Sequence, residues 1–302
     1  MTDDLVGFDS GGQAVRWRGL LEETEARLAG AGLPDPSVDA RRIVEEASGF
    51  EGAELHLGLD EHATKTGVAS LDRMVARRLE GEPLQYVLGR WAFRTLDLMV
   101  DSRVLIPRPE TEIVAGVAVD ELARQEQAGE MLHAVDLGTG SGAIGLSLAA
   151  ERPDVSVLIT DASISAIEVA RANLAGLGRD ATRVRVSQGD WFEAVPGAVK
   201  GEIAVVVSNP PYVAVNDSLP PVVADWEPFE ALVAGERGTE AVEHIIDSAG
   251  DWIRPGGALV LEMAPHQTGV MAQRAQSAGY IEVEVITDLA GRDRVLRARW
   301  PS

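Results

Sequence analysis

Residues 208–212 read Ser-Asn-Pro-Pro-Tyr and follow an apolar run at 203–207. Two successive prolines carry no N–H groups and have fixed φ, so this turn aims its carbonyls in one direction without spending them on its own backbone. The Asn209 side-chain oxygen and the Pro210 carbonyl can together accept both hydrogens of a planar –NH2 group, and Tyr212 can pack on that plane. Asn209, Pro210 and Tyr212 are therefore candidate catalytic residues, and with Pro211 they form a candidate acceptor site. The acceptor such a turn suits is a nitrogen conjugated to a carbonyl or a ring, that is, an amide or an exocyclic amine.

Three further groups stand at the ends of expected strands. Residues 135–142 read Val-Asp-Leu-Gly-Thr-Gly-Ser-Gly. In that turn Gly138, Thr139, Gly140, Ser141 and Gly142 let a ligand approach backbone where a Cβ would clash. Such a loop alone is a weak signal, shared with dinucleotide sites and with tight turns that bind nothing. Asp136 in front of it changes the chemistry, because a carboxylate there repels a pyrophosphate and suits an ammonium. Asp161 ends the run 158–161, where it can accept both hydrogen bonds from ribose hydroxyls; the plainer alternative is a cap on the helix that follows. Asp190 and Trp191 follow the third run, where an aromatic ring can cover adenine and a carboxylate can read its amino group.

The elements that must position these groups can be read from periodicity. Residues 1–12 are polar and read as a frayed tail. Helical spacing of apolar residues then runs to about Gly81, through Trp17, Leu20 and Leu28, through Ile43 and Val44, and through Leu71, Met74 and Leu79. Between 82 and 107 the period changes, and Phe93, Leu96, Leu98 and Val100 read as extended chain. Beyond Pro107 strands are expected at 133–137, 155–160, 183–188, 203–208, 258–263, 281–287 and 295–300, with helices at 143–151, 163–174, 240–252 and 268–278. Such alternation implies a parallel sheet covered on both faces. The last two strands are separated by only 288–294, too short for a parallel crossover, so they should pair antiparallel. A mostly parallel, Rossmann-like sheet with an antiparallel C-terminal hairpin is the pattern of a class I S-adenosylmethionine-dependent methyltransferase.

Composition excludes several classes. The 302 residues carry 27 Lys and Arg against 48 Asp and Glu, a formal net charge of −21. A chain this acidic repels a phosphate backbone. With no cysteine there is no disulfide, no thiolate nucleophile and no Cys-ligated metal, and no metal site is expected. The sequence starts MTDDLVGFDS, with acids where a signal peptide needs cations, and no apolar stretch approaches membrane-spanning length. A cytoplasmic monomer that binds neither membrane nor nucleic acid is the expectation.

These motifs resemble those of the bacterial release-factor glutamine methyltransferases, the HemK/PrmC family. The similarity lies in residues 81–89 (Gly-Glu-Pro-Leu-Gln-Tyr-Val-Leu-Gly) with Phe93, in 105–112 (Leu-Ile-Pro-Arg-Pro-Glu-Thr-Glu), and in 136–144, 190–192 and 209–212. It continues in Glu227-Pro228 with Ala231-Leu232 and in 288–295. The resemblance implies a methyl transfer from S-adenosylmethionine to the side-chain amide nitrogen, N5, of the glutamine in the Gly-Gly-Gln motif of peptide chain release factors. It implies that 138–142, Asp161, Trp191 and Asn209 bind the cofactor and that 209–212 bind the glutamine. It also implies a helical substrate-recognition domain at 1–82, a β-hairpin linker at 83–106 and a methyltransferase domain at 107–302. The paralogue acting on a ribosomal protein shares Asn-Pro-Pro-Tyr, but Pro109-Glu110-Thr111-Glu112 favours the release-factor enzyme. An adenine-N6 methyltransferase on nucleic acid would use the same grip, and the charge argues against it. Two departures stand out: Thr160 beside the ribose acid, and Met-Ala-Pro-His at 263–266. Residues 10–13, Ser-Gly-Gly-Gln, repeat the substrate tripeptide and read as coincidence.

Overall fold

The computed structural model describes residues 14–125 and 129–302; the expected tail at 1–12 and the Gly-Gly-Gln at 11–13 lie outside them. The chain divides into two units at Gly89/Arg90. Among the described residues the first holds five helices: α1 (Trp17–Gly30), α2 (Pro36–Ser48), α3 (Ala53–Gly58), α4 (Lys65–Leu79) and α5 (Leu84–Leu88). Apolar residues at helical spacing, among them Leu28, Ile43, Leu55, Leu71 and Val75, are buried in one cluster. Gly67 lets α4 lie against α1, since a Cβ there would fall 2.7 Å from the Trp17 ring. Arg78 donates to Asp39 at 2.7 Å, linking α4 to α2. Residues 84–88 were expected within an extended linker but are helical. Arg77 explains this by donating to the Tyr86 and Val87 carbonyls, which draws that short helix onto α4.

The second unit opens with a hairpin of β1 (Arg90–Phe93) and β2 (Leu96–Met99), followed by α6 (Pro109–Arg124). The alternation then runs β3 (Leu132–Leu137), α7 (Ala143–Glu151), β4 (Val155–Asp161), α8 (Ile164–Gly176), β5 (Val184–Gln188) and β6 (Ile203–Ser208). A long excursion contains β7 (Val213–Ala214), α9 (Pro221–Trp226) and β8 (Val233–Gly235), with β7 and β8 paired in parallel. The unit closes with α10 (Glu240–Ala249), β9 (Ile253–Glu262), α11 (Thr268–Ser277), β10 (Ile281–Thr287) and β11 (Asp293–Arg299). Helix α6 is absent from the periodicity reading, although Pro109 at its start and Glu110 and Glu112 in its first turn are ordinary helix-start signals.

Seven strands form one sheet in the order β10-β11-β9-β6-β3-β4-β5. Pairs β3/β4, β3/β6, β4/β5 and β6/β9 are parallel, while β11 runs antiparallel to both β9 and β10. The last strand thus inserts between its two predecessors and is the one reversed strand in the sheet. Ala134, Val205, Val207 and Val260 pack under α6, α7 and α8 on one face. Val135, Val206, Leu259 and Leu261 pack under α10 and α11 on the other. Every residue of β6 is buried, as expected for a central parallel strand with apolar residues in succession. Among the described residues no helix is long and apolar enough to cross a membrane.

Candidate active site

The chain leaves β3 towards β4 on one side and reaches β6 on the other. That reversal opens a crevice at the carboxyl ends of the parallel strands, where ligands bind in sheets of this kind. The strand register brings Leu137 level with Thr160 and with Ser208, and Thr160 level with Ser187. The residues just beyond these positions therefore converge. A cavity of about 810 Å³ lies there. Its walls include Gly138, Thr139, Gly140 and Ser141 from the first loop, Asp161 from the second, Asp190 and Trp191 from the third, and Asn209 and Pro211 from the fourth.

Gly138, Gly140 and Gly142 all have positive φ, at 66°, 56° and 89°, a region costly to residues with a Cβ. Gly142 stands behind the wall as the cap of α7, and a Cβ on it would meet Leu146 at 2.8 Å. Asp136 does not face the cavity, which corrects the expectation that it meets the ligand. It is buried, and its Oδ2 accepts from the Thr139 hydroxyl at 2.6 Å and from the Gly145 N–H at 2.9 Å. Burial pushes its carboxyl up to about 7, against the pull of those two bonds. Its role is to tie the glycine loop to the first turn of α7.

Asp161 Oδ2 accepts from the Gly140 N–H and Oδ1 from the Ser163 N–H, each at 2.9 Å. The helix cap is Ser163, whose hydroxyl accepts from Ala166, so capping is not the task of Asp161. Burial raises the Asp161 carboxyl, opposed by the two N–H donors. The Thr160 departure has a local cause: its buried hydroxyl donates to the Asp136 carbonyl at 3.4 Å. Trp191 has φ 42°, a strained value for a residue with a side chain. Its ring packs over Gly138, where an added Cβ would lie 3.7 Å away. Asp190 is exposed at the rim.

At the other end, Asn209 Nδ2 donates to the Thr111 hydroxyl at 3.2 Å, while its Oδ1 is buried with no hydrogen-bond partner among the described residues. Pro210 is buried and does not line the cavity. The Tyr212 hydroxyl donates to Glu262 Oε1 at 3.3 Å, away from the cavity wall. Burial, and then the Glu262 charge, push that phenol up. Burial pushes Glu262 itself up to about 7; the Thr111 hydrogen bond and the Arg294 charge oppose this, and Glu110 adds to it.

Several supporting residues were given no role in the sequence reading, although Thr111 and Glu227 fall within its resembling stretches. Thr111 sits in the resembling stretch 105–112 and lines the cavity. Glu262 is a carboxylate that ends β9 directly after the apolar run 258–261, a signal that periodicity alone passes over. Asn173 of α8 donates to the Ser141 carbonyl at 2.8 Å and bonds both backbone groups of Met99. Gln267, just past the second departure, donates to the Tyr212 and Gly238 carbonyls at 3.0 Å each. Glu227 accepts from Arg108 and from the Ile106 N–H, pinning the segment that leads into α6.

A mostly parallel seven-stranded sheet with one reversed strand, and a glycine loop opening a cavity at its switch point, define a Rossmann-like class I methyltransferase. A solved structure of the same fold is the hMettl16 catalytic domain in complex with the MAT2A 3′UTR hairpin 6. It superposes with a TM-score of 0.52 at 15% identity over 78% of this chain and 81% of that one. The family model described as PrmC N-terminal domain matches residues 19–89, and the Methyltransferase small domain model matches 117–225. Proteins named release factor glutamine methyltransferase are similar along nearly the whole chain. That of Cereibacter sphaeroides is 37% identical over 95% of this chain and all of its own length. Those of Xylella fastidiosa and Deinococcus radiodurans are 38% and 36% identical, over 87% and 94% of this chain and 93% and 99% of their own. The chain belongs to the release factor glutamine methyltransferase family.

Proposed function

We propose that this chain transfers a methyl group from S-adenosylmethionine to the side-chain amide nitrogen of the glutamine in the Gly-Gly-Gln motif of peptide chain release factors. The observation that carries the acceptor half of this reading is Asn209 Oδ1, a buried oxygen with no partner among the described residues, on a residue that lines the cavity. An unsatisfied buried acceptor costs about 1–3 kcal/mol, and an incoming amide –NH2 removes that cost. The cofactor half is supported by fit. The cavity lies within the ~300–1,000 Å³ of small-molecule sites; positive-φ glycines keep Cβ atoms off one wall, and Asp161 retains lone pairs for ribose hydroxyls.

S-adenosylmethionine, when bound, supplies an electrophilic methyl group. Gly138, Thr139, Gly140, Ser141 and Gly142 would shape its seat, Asp161 would hold the ribose, and Asp190 and Trp191 would take the adenine edge and face. Asn209 accepts an amide hydrogen through Oδ1 and Pro211 borders the slot for the glutamine side chain, while Pro210 and Tyr212, which do not line the cavity, support the turn from behind. An amide nitrogen is a poor nucleophile because its lone pair is delocalised into the carbonyl. The work of these residues is therefore to hold the nitrogen in line with the methyl group and to polarise its N–H bonds. As the nitrogen–methyl bond forms and the sulfur–methyl bond breaks, the nitrogen gains positive charge, and it then gives one proton to water to leave a neutral secondary amide.

The helical unit before Arg90 is assigned the task of gripping the release factor. Removing residues 1–89 should preserve cofactor binding and impair methylation of full-length release factor; unimpaired methylation would refute the assignment. With a net charge of −21, the chain is assigned a protein substrate, no nucleic acid and no membrane surface, and it acts as a cytoplasmic monomer. The deciding experiment incubates the protein with labelled cofactor and a release factor and locates the methyl by mass spectrometry. Label on the glutamine of Gly-Gly-Gln supports the proposal. Label on adenine in added nucleic acid, with none on the release factor, would replace it.

A further inference from the structure

Behind the acceptor loop, side chains from distant segments form one hydrogen-bonded line. Thr111 in the first turn of α6 lies 2.7 Å from Glu262 Oε2 at the end of β9, and Asn209 Nδ2 lies 3.2 Å from the Thr111 hydroxyl. The Tyr212 hydroxyl reaches the other Glu262 oxygen at 3.3 Å. Glu262 and Thr111 are both almost fully buried, at 1% and 3% exposure, so water does not compete for these bonds.

Counting protons gives the line a direction. A threonine hydroxyl has one hydrogen and two lone pairs, and an ionised carboxylate only accepts. With Glu262 ionised, the Thr111 hydrogen goes to Oε2 and a lone pair faces Asn209, so only the Asn209 –NH2 can answer it. The amide oxygen must then point the other way, where it has no partner among the described residues. Turned over, Asn209 would set its oxygen against the Thr111 lone pair and offer N–H donors to an incoming –NH2 group, two repulsive contacts in place of two bonds.

We infer that Thr111 and Glu262 are positioning residues that lock the Asn209 amide with its oxygen towards the nitrogen to be methylated. This rests on the acceptor-site reading proposed above. The lock depends on the charge of Glu262, which faces Thr111 and Glu110 from α6, Tyr212 from the acceptor loop and Arg294 from β11, with Arg108 acting in turn on Tyr212. A protonated Glu262 donates to the Thr111 oxygen and frees the threonine hydrogen, and Asn209 can then turn over. Burial sets that protonation at about 7, so the lock loosens as pH falls through that value.

The test uses the full chain with a release factor as substrate. Thr111→Val keeps the shape and removes the hydroxyl; it should lower kcat roughly ten- to hundredfold, as misplacement of a reacting group does, with S-adenosylmethionine affinity unchanged and a lowered melting temperature, because Glu262 Oε2 and Asn209 Nδ2 lose a buried partner. Thr111→Ser should restore most of the rate. The wild-type kcat should fall on the acid side of pH about 7, and Glu262→Gln should abolish that limb. Wild-type kcat in Thr111→Val, or a Thr111→Ser variant as slow as Thr111→Val, overturns the inference. Should Thr111→Val not fold, the serine variant and the Glu262→Gln pH profile decide the matter. A substrate-free readout separates this from the function itself: the Asn209 side-chain –NH2 resonance should be protected from exchange in the wild type and lose protection in Thr111→Val. Equal protection in both refutes the lock, whereas a wild-type protein that leaves release factors unmethylated refutes the functional reading.

Discussion

The two ends of the cavity are each organised by a buried carboxylate, Asp136 at the glycine loop and Glu262 behind the acceptor turn, and both carboxyls are pushed up by burial to about 7. Their partners differ in kind. Asp136 and Asp161 accept from the backbone N–H groups of Gly145, Gly140 and Ser163 and from one nearby hydroxyl, with sequence separations of 9, 21, 2 and 3. Among the described residues Glu262 reaches side chains, Thr111 and Tyr212, at separations of 151 and 50, and Thr111 in turn meets Asn209 98 positions away. A seat built from backbone depends on local chain geometry and tolerates change in distant segments. A slot built from side chains is adjustable in chemistry but requires several segments to arrive together.

That contrast implies different failures when each end is altered. The largest effect is expected at the acceptor end: Asn209→Ala should lower single-turnover rate on a release factor by roughly 10²–10³-fold, as loss of one preorganised polar contact does. Its cofactor affinity, measured by calorimetry, should change little because the backbone seat is intact. A near-normal rate would remove the Asn-Pro-Pro-Tyr turn from the mechanism.

At the donor end, Asp161→Ala should weaken S-adenosylmethionine binding by ~1.5–3 kcal/mol, about ten- to a hundredfold in Kd. The turnover at saturating cofactor should stay close to that of the wild type. If turnover collapses while Kd is preserved, the division of labour between the two ends is wrong. A third variant probes a side chain of α8 that supports the glycine loop from 32 positions away. Asn173→Ala leaves the Ser141 carbonyl and the Met99 backbone unpaired and should cost ~1–3 kcal/mol of stability. An unchanged urea midpoint would show that the loop holds without it.

The smallest effect is on stability against pH. Asp136 and Glu262 both bind a proton more tightly in the folded chain than in the unfolded one. The stability they contribute is therefore full at acid pH and is lost as pH rises from the ordinary carboxylate range through about 7. Each can contribute a slope of at most about 1.4 kcal/mol per pH unit in that window. Melting temperatures between pH 5 and 8 should decline more gently in Glu262→Gln than in the wild type, and parallel curves would count against a shifted Glu262.

The legibility of the two ends in the sequence follows the same contrast. The donor seat could be read in advance because positive-φ glycines, a strand-end aspartate and their spacing are local requirements, each written within a single loop. The Asn-Pro-Pro-Tyr turn was legible for the same reason, since its prolines constrain the backbone by themselves. Where sequence reasoning turned local chemistry into three-dimensional facing, it was less sure: Asp136 looks inward rather than at the ligand side, and the Tyr212 hydroxyl goes to Glu262. Helix α6 was passed over, and Thr111 went with it.

What the amino-acid order determined by itself is most of the sheet's elements and the chemistry available at their ends: a strand–glycine–helix unit, an acid, an aromatic and a rigid proline turn after four successive strands, and a last pair of strands too closely joined to run parallel. These depend on steric and hydrogen-bonding rules that act over a few residues. Tertiary structure alone decided that β11 enters between β9 and β10, that Thr111 from the start of α6 meets Asn209 at the end of β6, and that the glutamate ending β9 becomes their common anchor. Such meetings depend on how helices and strands stack across the sheet, where contact is set by packing of residues from tens to more than a hundred positions apart and leaves no periodicity in the chain to announce it.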